Sequence, residues 1–233
     1  MKAIILAAGE GKRMLPLTLT LPKPLLKIGG KTVLDNIFEA FPEEITEAII
    51  VVRYLGEKIK SYCGETFHGR KIQYAEGSDK GNAFTFLAAK PFIQETERVM
   101  VLYADEIPSA ENMRKCLAHE YRWLCKETLR PKSAGVVRFR DDGTIEEIVE
   151  KSENPPSTVA AIGLMVLSGE MFRYEPVQNP NGEYSLSSMA NRFLKEHKVY
   201  AVITEGGCSL TKPEDIPKVE TFLAKRKANE TAV

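Results

Sequence analysis

The sequence lacks the features that mark membrane, secreted and nucleic-acid-binding proteins. No apolar run approaches the roughly 20 residues that a membrane helix needs. The apolar stretch 3–8 ends in a glycine turn, so it predicts a first strand rather than a secretion signal. Lysine plus arginine and aspartate plus glutamate each number 32, so there is no basic field for a nucleic acid or a membrane surface.

Cysteine is also scarce. The four cysteines show no C-x-x-C spacing, which disfavours zinc and a disulfide framework and favours free thiols in a reducing cytosol. These absences predict a cytoplasmic protein that binds neither nucleic acid nor membrane. They leave a small anionic ligand open, because a pocket can be basic locally.

The first half of the chain alternates short apolar strands with amphipathic helices. The predicted strands are residues 3–8, 48–52, 72–74 and 99–103. The predicted helices are residues 32–41, 56–62, 82–89 and 110–125. This alternation predicts βαβ units, and hence an α/β fold with a Rossmann-like mixed, mainly parallel sheet flanked by helices.

The pattern changes after Arg130-Pro131. Residues 134–139 and 145–149 predict a hairpin around Asp142-Gly143, followed by a strand at 159–167. A helix at 186–197, a strand at 200–203 and a terminal helix from Pro213 complete the prediction. We interpret residues 1–233 as a single domain, with a nucleotide-binding lobe over about 1–130 and a lobe for a second substrate over about 131–233. A homodimer or higher homo-oligomer is compatible with this pattern.

The most informative segment follows the first strand. Residues 6–18 read L-A-A-G-E-G-K-R-M-L-P-L-T, and residues 22–25 read P-K-P-L. Glycine directly after a buried strand lets backbone N–H groups approach phosphate oxygens, and lysine or arginine adds the charge that holds a triphosphate. The candidate nucleotide-binding residues here are Leu6, Ala8, Gly9, Gly11 and Lys12.

Three other interpretations of this segment are possible. A dinucleotide fingerprint G-x-G-x-x-G would need glycine where Met14 stands. A Walker A loop through Gly30-Lys31-Thr32 would need glycine at Leu25. A tight turn beside a surface basic cluster would explain a lone G-x-G, but it explains the whole string poorly.

The string L-A-A-G-x-G-K-R-M-x-P-L-T with P-K-P-L resembles the signature of the sugar-phosphate nucleotidyltransferase family, in order from Lys2 to about Leu223. The resemblance implies a nucleotide-diphospho-sugar transferase fold and transfer of NMP from an NTP to a sugar-1-phosphate or similar phosphorylated alcohol, with release of pyrophosphate. It also implies Mg²⁺ as cofactor and catalytic roles for Arg13, Lys23 and Lys151. The nucleophile is an anionic phosphate oxygen, so no general base is required.

Residues 76–83 resemble the family segment Q/E-x-x-P-L-G-T-A. The resemblance implies that Glu76, Lys80, Gly81 and Asn82 bind the nucleotide. A carboxylate only accepts hydrogen bonds, so Glu76 suits a base edge that donates, as in cytosine or guanine. This favours CTP, then GTP or UTP. The alternative is that Glu76 is a solvated loop charge.

Asp105 follows the strand 99–103, and ligands of open α/β sheets gather at the carboxyl ends of strands. Mg²⁺ prefers carboxylate and phosphate oxygens, so Asp105 is the candidate metal ligand. The alternative is that Asp105 caps the next helix.

Glu150-Lys151 resembles the family's E-K-P, with Ser152 in place of proline. The resemblance implies that Lys151 grips the acceptor phosphate and that Glu150 binds acceptor hydroxyls. Gly163 and Glu183 match further acceptor-binding positions.

The main departure lies at residues 207–215, which resemble W-x-D-I-G-T-P-E-D. The family's second metal-binding aspartate falls on Ser209, so Ser209, Glu106 and Glu205 are all candidates for a second ligand. This departure favours one alternative function, a catalytically weakened regulatory homologue that binds a nucleotide sugar. A nicotinamide dehydrogenase is a more distant alternative.

Overall fold

Strands and helices alternate through the first half of the chain, and a mixed second half follows. The computed structural model describes residues 1–179, 182–205 and 207–231, without the side chains of 227 and 229–231. The strands are β1 (Lys2–Ala7), β2 (Lys27–Ile28), β3 (Lys31–Thr32), β4 (Glu47–Val52), β5 (Thr66–Phe67), β6 (Arg70–Glu76), β7 (Arg98–Tyr103), β8 (Glu106–Ile107), β9 (Arg122–Glu127), β10 (Gly135–Phe139), β11 (Ile145–Glu150), β12 (Val159–Ser168), β13 (Tyr200–Ile203) and β14 (Cys208–Ser209). The α-helices are α1 (Val33–Ala40), α2 (Gly56–Cys63), α3 (Asn82–Leu87), α4 (Ala110–Leu117), α5 (Leu186–Glu196) and α6 (Ile216–Thr231).

The main sheet runs in the order β11-β10-β12-β7-β1-β4-β6-β5, with β9 paired to both β12 and β13. Its centre, β7-β1-β4-β6, is parallel. The hairpin β10–β11 and the long strand β12 add antiparallel pairs on one side. The predicted Rossmann-like mixed sheet is therefore confirmed.

Side-chain alternation along the central strands divides the core between the two faces of the sheet. On β1, Ile5 faces a cluster that includes residues of α1, α2, α4 and α6. Its neighbour Ile4 faces a second cluster that includes residues of α3 and α5. Both side chains are 0% exposed, and burial of such a side chain contributes about 1.5–3 kcal/mol. Covered faces explain why β1, β4 and β7 are continuous apolar runs.

The predicted helix over residues 110–125 is wrong in its second half. Helix α4 ends at Leu117, and Arg122–Glu127 forms β9 between β12 and β13. The guanidinium of Arg98 donates to the backbone carbonyls of Leu117, His119 and Glu120, which satisfies carbonyls beyond the helix end. Trp123 then alternates into the sheet face. The apolar spacing continues at a helical period from α4 into β9, so the sequence pattern predicted one helix where the structure has a helix and a strand.

The other predicted elements lie within a few residues of the observed ones. Helix α1 starts one residue later than predicted because Thr32 caps it, in a reciprocal capping box with Asp35. Burial raises the pKa of Asp35, but hydrogen bonds from His68, Tyr62 and Thr32 outweigh it and lower the pKa to about 2.

At the other end of the described chain, Pro213 begins a short 3-10 turn, Pro213–Asp215, ahead of α6. None of the helices in the described chain is long and apolar enough to cross a membrane.

Candidate active site

The glycine-rich turn follows β1 and is shaped by the glycine at position 11. Gly11 has a φ of +65°, and a Cβ there would lie 3.0 Å from Thr18 Cγ2 and 3.3 Å from Lys23 Cβ. Glycine is therefore required for both backbone and space. Met14, at the position where a dinucleotide fingerprint would need its third glycine, is 0% exposed in the core. Met14 therefore fills core space, and the dinucleotide fingerprint is not completed at this turn.

A cavity of about 650 Å³ opens above this turn, at the carboxyl ends of β1, β4 and β7. Most of the predicted nucleotide-side residues line it: Leu6, Ala8, Gly9, Gly11, Lys12, Arg13, Lys23, Gly81, Asn82 and Asp105. We call it the nucleotide cavity. It also contains lining residues that the sequence did not single out: Arg53, Ser78, Asp79, Thr85, Tyr103 and Thr211.

The centre of the nucleotide cavity is an ion pair between two segments distant in sequence. Lys23 Nζ lies 2.7 Å from Asp105 Oδ2, and the two side chains are 11% and 34% exposed. Arg13 lines the same cavity and makes no ion pair within the described chain. Mg²⁺ prefers carboxylate and phosphate oxygens, so the partly exposed carboxylate of Asp105 in the wall of this cavity fits Mg²⁺ by its chemistry.

The position of the missing family aspartate is also defined. Ser209 pairs with Glu106 across the β8–β14 ladder, and its hydroxyl donates to Glu106 Oε1 at 2.8 Å. Burial, and after it the charge of Asp105, raise the pKa of Glu106. Glu205 is exposed and lines neither cavity. The structure thus places Ser209 and Glu106 beside the strand end that carries Asp105, but not Glu205. The described residues contain no group of three or more acidic, histidine or cysteine side chains arranged for a metal.

A second cavity of about 1100 Å³ lies between β10, β11, α5 and the end of β7. Three predicted acceptor-side residues line this acceptor cavity: Glu150, Lys151 and Glu183. Lys151 has a φ of +45°, uncommon for a residue with a side chain, and its N–H donates to Ala134 O at 3.0 Å. Its Nζ lies 4.0 Å from Glu183 Oε2. Strained backbone of this kind concentrates at functional sites.

Asn82 and Tyr103 line both cavities. Asn82 Nδ2 donates to the Tyr103 hydroxyl at 3.0 Å, and Asn82 Oδ1 accepts from the N–H of Leu186 at 2.7 Å. Burial raises the pKa of Tyr103, so its hydroxyl stays protonated. One amide side chain therefore joins the first turn of α3 to the start of α5 and forms the boundary between the two cavities.

Three predicted nucleotide- or acceptor-binding residues line neither cavity, namely Glu76, Lys80 and Gly163, and the second-ligand candidates Ser209, Glu106 and Glu205 do not line either cavity. Glu76 is exposed and follows Ile72 and Tyr74 on the face of β6 toward α2, where its charge acts on Lys60. Strand alternation therefore turns the Glu76 side chain away from the nucleotide cavity.

Lys80 and Gly163 have other surroundings. Lys80 Nζ lies over the Phe84 ring, 5.7 Å from its centroid. A Cβ at Gly163 would lie 2.8 Å from both Glu106 Cγ and Tyr103 Cδ2, so this glycine makes room for those two side chains. Gly163 therefore allows these two side chains to pack closely, and it lines neither cavity itself.

The lining residues Arg53 and Tyr103 lie at the carboxyl ends of strands, a position that the sequence analysis used as a sign of function only for Asp105. Arg53 directly follows β4 and Tyr103 ends β7. Polar side chains at the carboxyl ends of parallel strands meet at one edge of the sheet. Applying that rule to every polar side chain at a strand end, and not only to the acidic Asp105, would have identified both residues.

Comparisons with known proteins define the class. A nucleotidyl transferase family model matches residues 2–226, so the chain belongs to that family and the family prediction is confirmed. The chain is 30% identical over 227 residues to the bifunctional protein GlmU of Methanocaldococcus jannaschii, covering 96% of this chain and 54% of the relative. It thus spans about half the length of that relative.

Two further similarities cover whole chains. The UTP–glucose-1-phosphate uridylyltransferase AglF of Haloferax volcanii is 28% identical over 245 residues, which cover 99% of this chain and 100% of the relative. A solved UDP-glucose pyrophosphorylase, complexed with UDP-glucose, superposes with a TM-score of 0.81 at 20% identity, covering 97% of this chain and 98% of the other. This likeness shows the same fold.

Proposed function

We propose that this protein transfers NMP from an NTP to a sugar-1-phosphate or similar phosphorylated alcohol and releases pyrophosphate. The observation that carries the proposal is the contiguity of two cavities across Asn82 and Tyr103, with the Lys23–Asp105 ion pair on the nucleotide side. Two bound substrates would meet at this boundary. Membership of the nucleotidyl transferase family supports the same reaction class.

The reaction is an in-line substitution. A phosphate oxygen of the acceptor attacks the α-phosphorus of the NTP, the bond from that phosphorus to the bridging β-phosphate oxygen breaks, and pyrophosphate leaves with the electron pair. The nucleophile is already anionic, so no proton has to be removed. None of the histidines in the described chain lines either cavity.

The residues act by positioning and by charge. The backbone N–H groups of the turn at Gly9 and Gly11 would bind phosphate oxygens, and Arg13 and Lys23 would balance the charge of the triphosphate. Lys151, on the acceptor side, would hold the attacking phosphate. Asp105 would hold Mg²⁺, which when bound would supply positive charge that offsets the negative charge of the reacting phosphates.

For the nucleotide we propose CTP, GTP or UTP in preference to ATP. Glu76, which suggested CTP as the first choice, lies outside the cavity, so the preference over ATP needs another base-reading group. AglF is named as acting on UTP and glucose-1-phosphate. For the acceptor we propose a sugar-1-phosphate or a phosphorylated alcohol, because carboxylates and amides line the acceptor cavity beside Lys151.

The test is a matrix of pyrophosphate release with each NTP against sugar-1-phosphates and phosphoalcohols, with Mg²⁺. We expect release with at least one pair, and we expect Lys23→Ala or Asp105→Asn to reduce it at least about 100-fold. Lys115→Ala on α4 is the control, since it removes an exposed lysine that lines neither cavity. Turnover within a few-fold of wild type in both site variants would refute the assigned roles.

One observation favours a second function, that of a regulatory homologue which binds a nucleotide sugar without making it. A neutral hydroxyl, Ser209, stands where the family signature has its second metal-binding acid. If this function holds, the protein will bind a nucleotide sugar tightly and the full matrix will give no magnesium-dependent pyrophosphate. Magnesium-dependent release of pyrophosphate with any pair of NTP and acceptor would support the enzyme instead.

A further inference from the structure

Arg53 is a cavity-lining cation that the proposed mechanism does not use. Its Nη2 donates to Glu10 Oε1 at 3.0 Å, and the other carboxylate oxygen of Glu10 lies 3.1 Å from Lys12 Nζ. The Nε of Arg53 is buried and has no hydrogen-bond partner within the described chain. An arginine held on one side by a carboxylate, with donors left over, is oriented for a ligand.

The place of Arg53 in the sheet separates it from the reacting centre. Strands β4 and β7 flank β1 on opposite sides, and neighbouring strands lie about 4.8 Å apart, so the ends of β4 and β7 are roughly 10 Å apart. Asp105 and Lys23 lie at the β7 end. Arg53 follows β4, next to the segment after β6 that contributes Ser78 and Asp79 to the same cavity.

This arrangement divides the nucleotide cavity into parts. The Lys23–Asp105 ion pair lies at the β7 end, and the acceptor cavity meets the nucleotide cavity at Asn82 and Tyr103. The remaining wall, near Ala8 and Arg53, is then left for the nucleoside.

The local charge argues against a phosphate as the partner of Arg53. Hydrogen bonding and charge from Arg53 and Lys12 lower the pKa of Glu10, so its carboxylate is ionised at neutral pH. Lys12 shares this carboxylate, but its side chain is 80% exposed and can turn toward a phosphate, whereas the Arg53 side chain is 28% exposed and stays beside the Glu10 charge, which would repel a phosphate brought next to it. A neutral acceptor atom suits a charge-balanced guanidinium better.

We propose that Arg53, positioned by Glu10, donates a hydrogen bond to a ring carbonyl of the nucleobase and makes the site select carbonyl-bearing bases over adenine. Cytosine, uracil and guanine each carry a ring carbonyl, whereas adenine carries none, and its amino group would point an N–H at the guanidinium N–H groups. This inference rests on the proposed function and supplies the base-reading group that Glu76 does not provide.

The experiment measures the dissociation constants of CTP, UTP, GTP, ATP and inorganic triphosphate by isothermal titration calorimetry with Mg²⁺. The proteins are wild type, Arg53→Ala, Arg53→Lys, Glu10→Gln and the control Arg114→Ala. Arg114 is exposed on α4 and lines neither cavity. Thermal unfolding of each variant shows that it is folded.

In wild type we expect the tightest carbonyl-bearing NTP to bind at least tenfold more tightly than ATP. Arg53→Ala should weaken that NTP by about 10- to 100-fold, the loss of one hydrogen bond from a charged donor. ATP and triphosphate should change less than about threefold, so the preference collapses. Arg53→Lys keeps the positive charge but loses the planar guanidinium with its fixed N–H donors, so it should recover only part of the preference.

Glu10 is a positioning residue, and its variant has a distinct signature. With the acceptor substrate present, Glu10→Gln should raise KM for the carbonyl-bearing NTP and reduce the preference over ATP, with kcat within about twofold of wild type. Arg114→Ala should leave every constant unchanged.

Several results would overturn the proposal. Equal weakening of all NTPs and of triphosphate by Arg53→Ala would assign Arg53 to phosphate binding. Full recovery by Arg53→Lys would show that charge alone matters, and equal wild-type affinity for all NTPs would remove the selectivity itself. Because wild-type pyrophosphate release is measured in parallel, failure of the inference with release intact is distinct from failure of the proposed function.

Discussion

Replacing Gly81 with alanine tests how closely the turn at Gly81 approaches Tyr184, in the segment that leads into α5. Gly81 has a φ of 129° and a ψ of 172°, a region that is essentially restricted to glycine. A Cβ there would lie 2.4 Å from the carbonyl oxygen and 2.9 Å from the nitrogen of Tyr184. Both atoms are backbone and already bonded, to the Ala83 N–H and to the Lys80 carbonyl, at 3.1 and 3.3 Å. The clash can be relieved only by moving the segment that leads into α5.

Strained backbone and the loss of these two hydrogen bonds together predict destabilisation by about 2–5 kcal/mol. At this chain length each kcal/mol lowers Tm by about 2–4 °C. Urea unfolding measures the change in free energy, and Gly143→Ala is the matched control. Gly143 also has a positive φ, +78°, but has no atom within 4 Å of its would-be Cβ, so it should cost only about 1–2 kcal/mol. If Gly81→Ala costs no more than the control, the close approach to Tyr184 is incorrect.

Three further substitutions test the site and the fold. Gly9→Ala should leave stability within about 0.5 kcal/mol, because nothing lies within 4 Å of its Cβ, yet weaken NTP binding about tenfold by filling the phosphate cradle; unchanged affinity would contradict this. Ser209→Asp should tighten Mn²⁺ binding about tenfold in electron paramagnetic resonance titrations, through an added carboxylate near Asp105, and an unaltered constant would remove position 209 from the metal site. Asp35→Asn should cost about 1 kcal/mol at neutral pH through the damaged α1 cap. The pKa of Asp35 is lowered on folding to about 2, so its contribution is present above the unfolded value of about 3.9 and is lost as pH falls toward 2; a loss that persists at pH 2 in urea unfolding would contradict the assignment.

Local pattern predicted most of the fold, because a central strand buried on both faces must be a short apolar run. Residues 3–8 and 99–103 therefore identified β1 and β7 to within one residue. The same reasoning failed at residues 110–125, where the spacing of Tyr121 and Leu124 continued a helical period by coincidence. Ending α4 depends on Arg98, which is on a different strand, and no window around Leu117 contains it.

The candidate site likewise contains residues that the sequence predicted and residues that it missed. Lys23 and Asp105 are 82 positions apart in the sequence. The family resemblance named each of them separately, and the fold brings them into contact. Glu76 was also placed by motif position, but its side chain follows strand alternation away from the cavity. Arg53 was missed because its partner, Glu10, comes from a different strand end, and only the parallel pairing of β1 with β4 brings the two together.

The shared boundary at Asn82 has a thermodynamic consequence. Its amide group is bonded at one end to Tyr103 and at the other to the backbone of Leu186, so a ligand that shifts it from either side changes the wall seen by the other ligand. Linkage then requires reciprocity: whatever factor the nucleotide imposes on the affinity for the acceptor, the acceptor imposes on the affinity for the nucleotide. Under the proposed function, cooperative or ordered addition of the two substrates can therefore arise within one chain, through a single carboxamide.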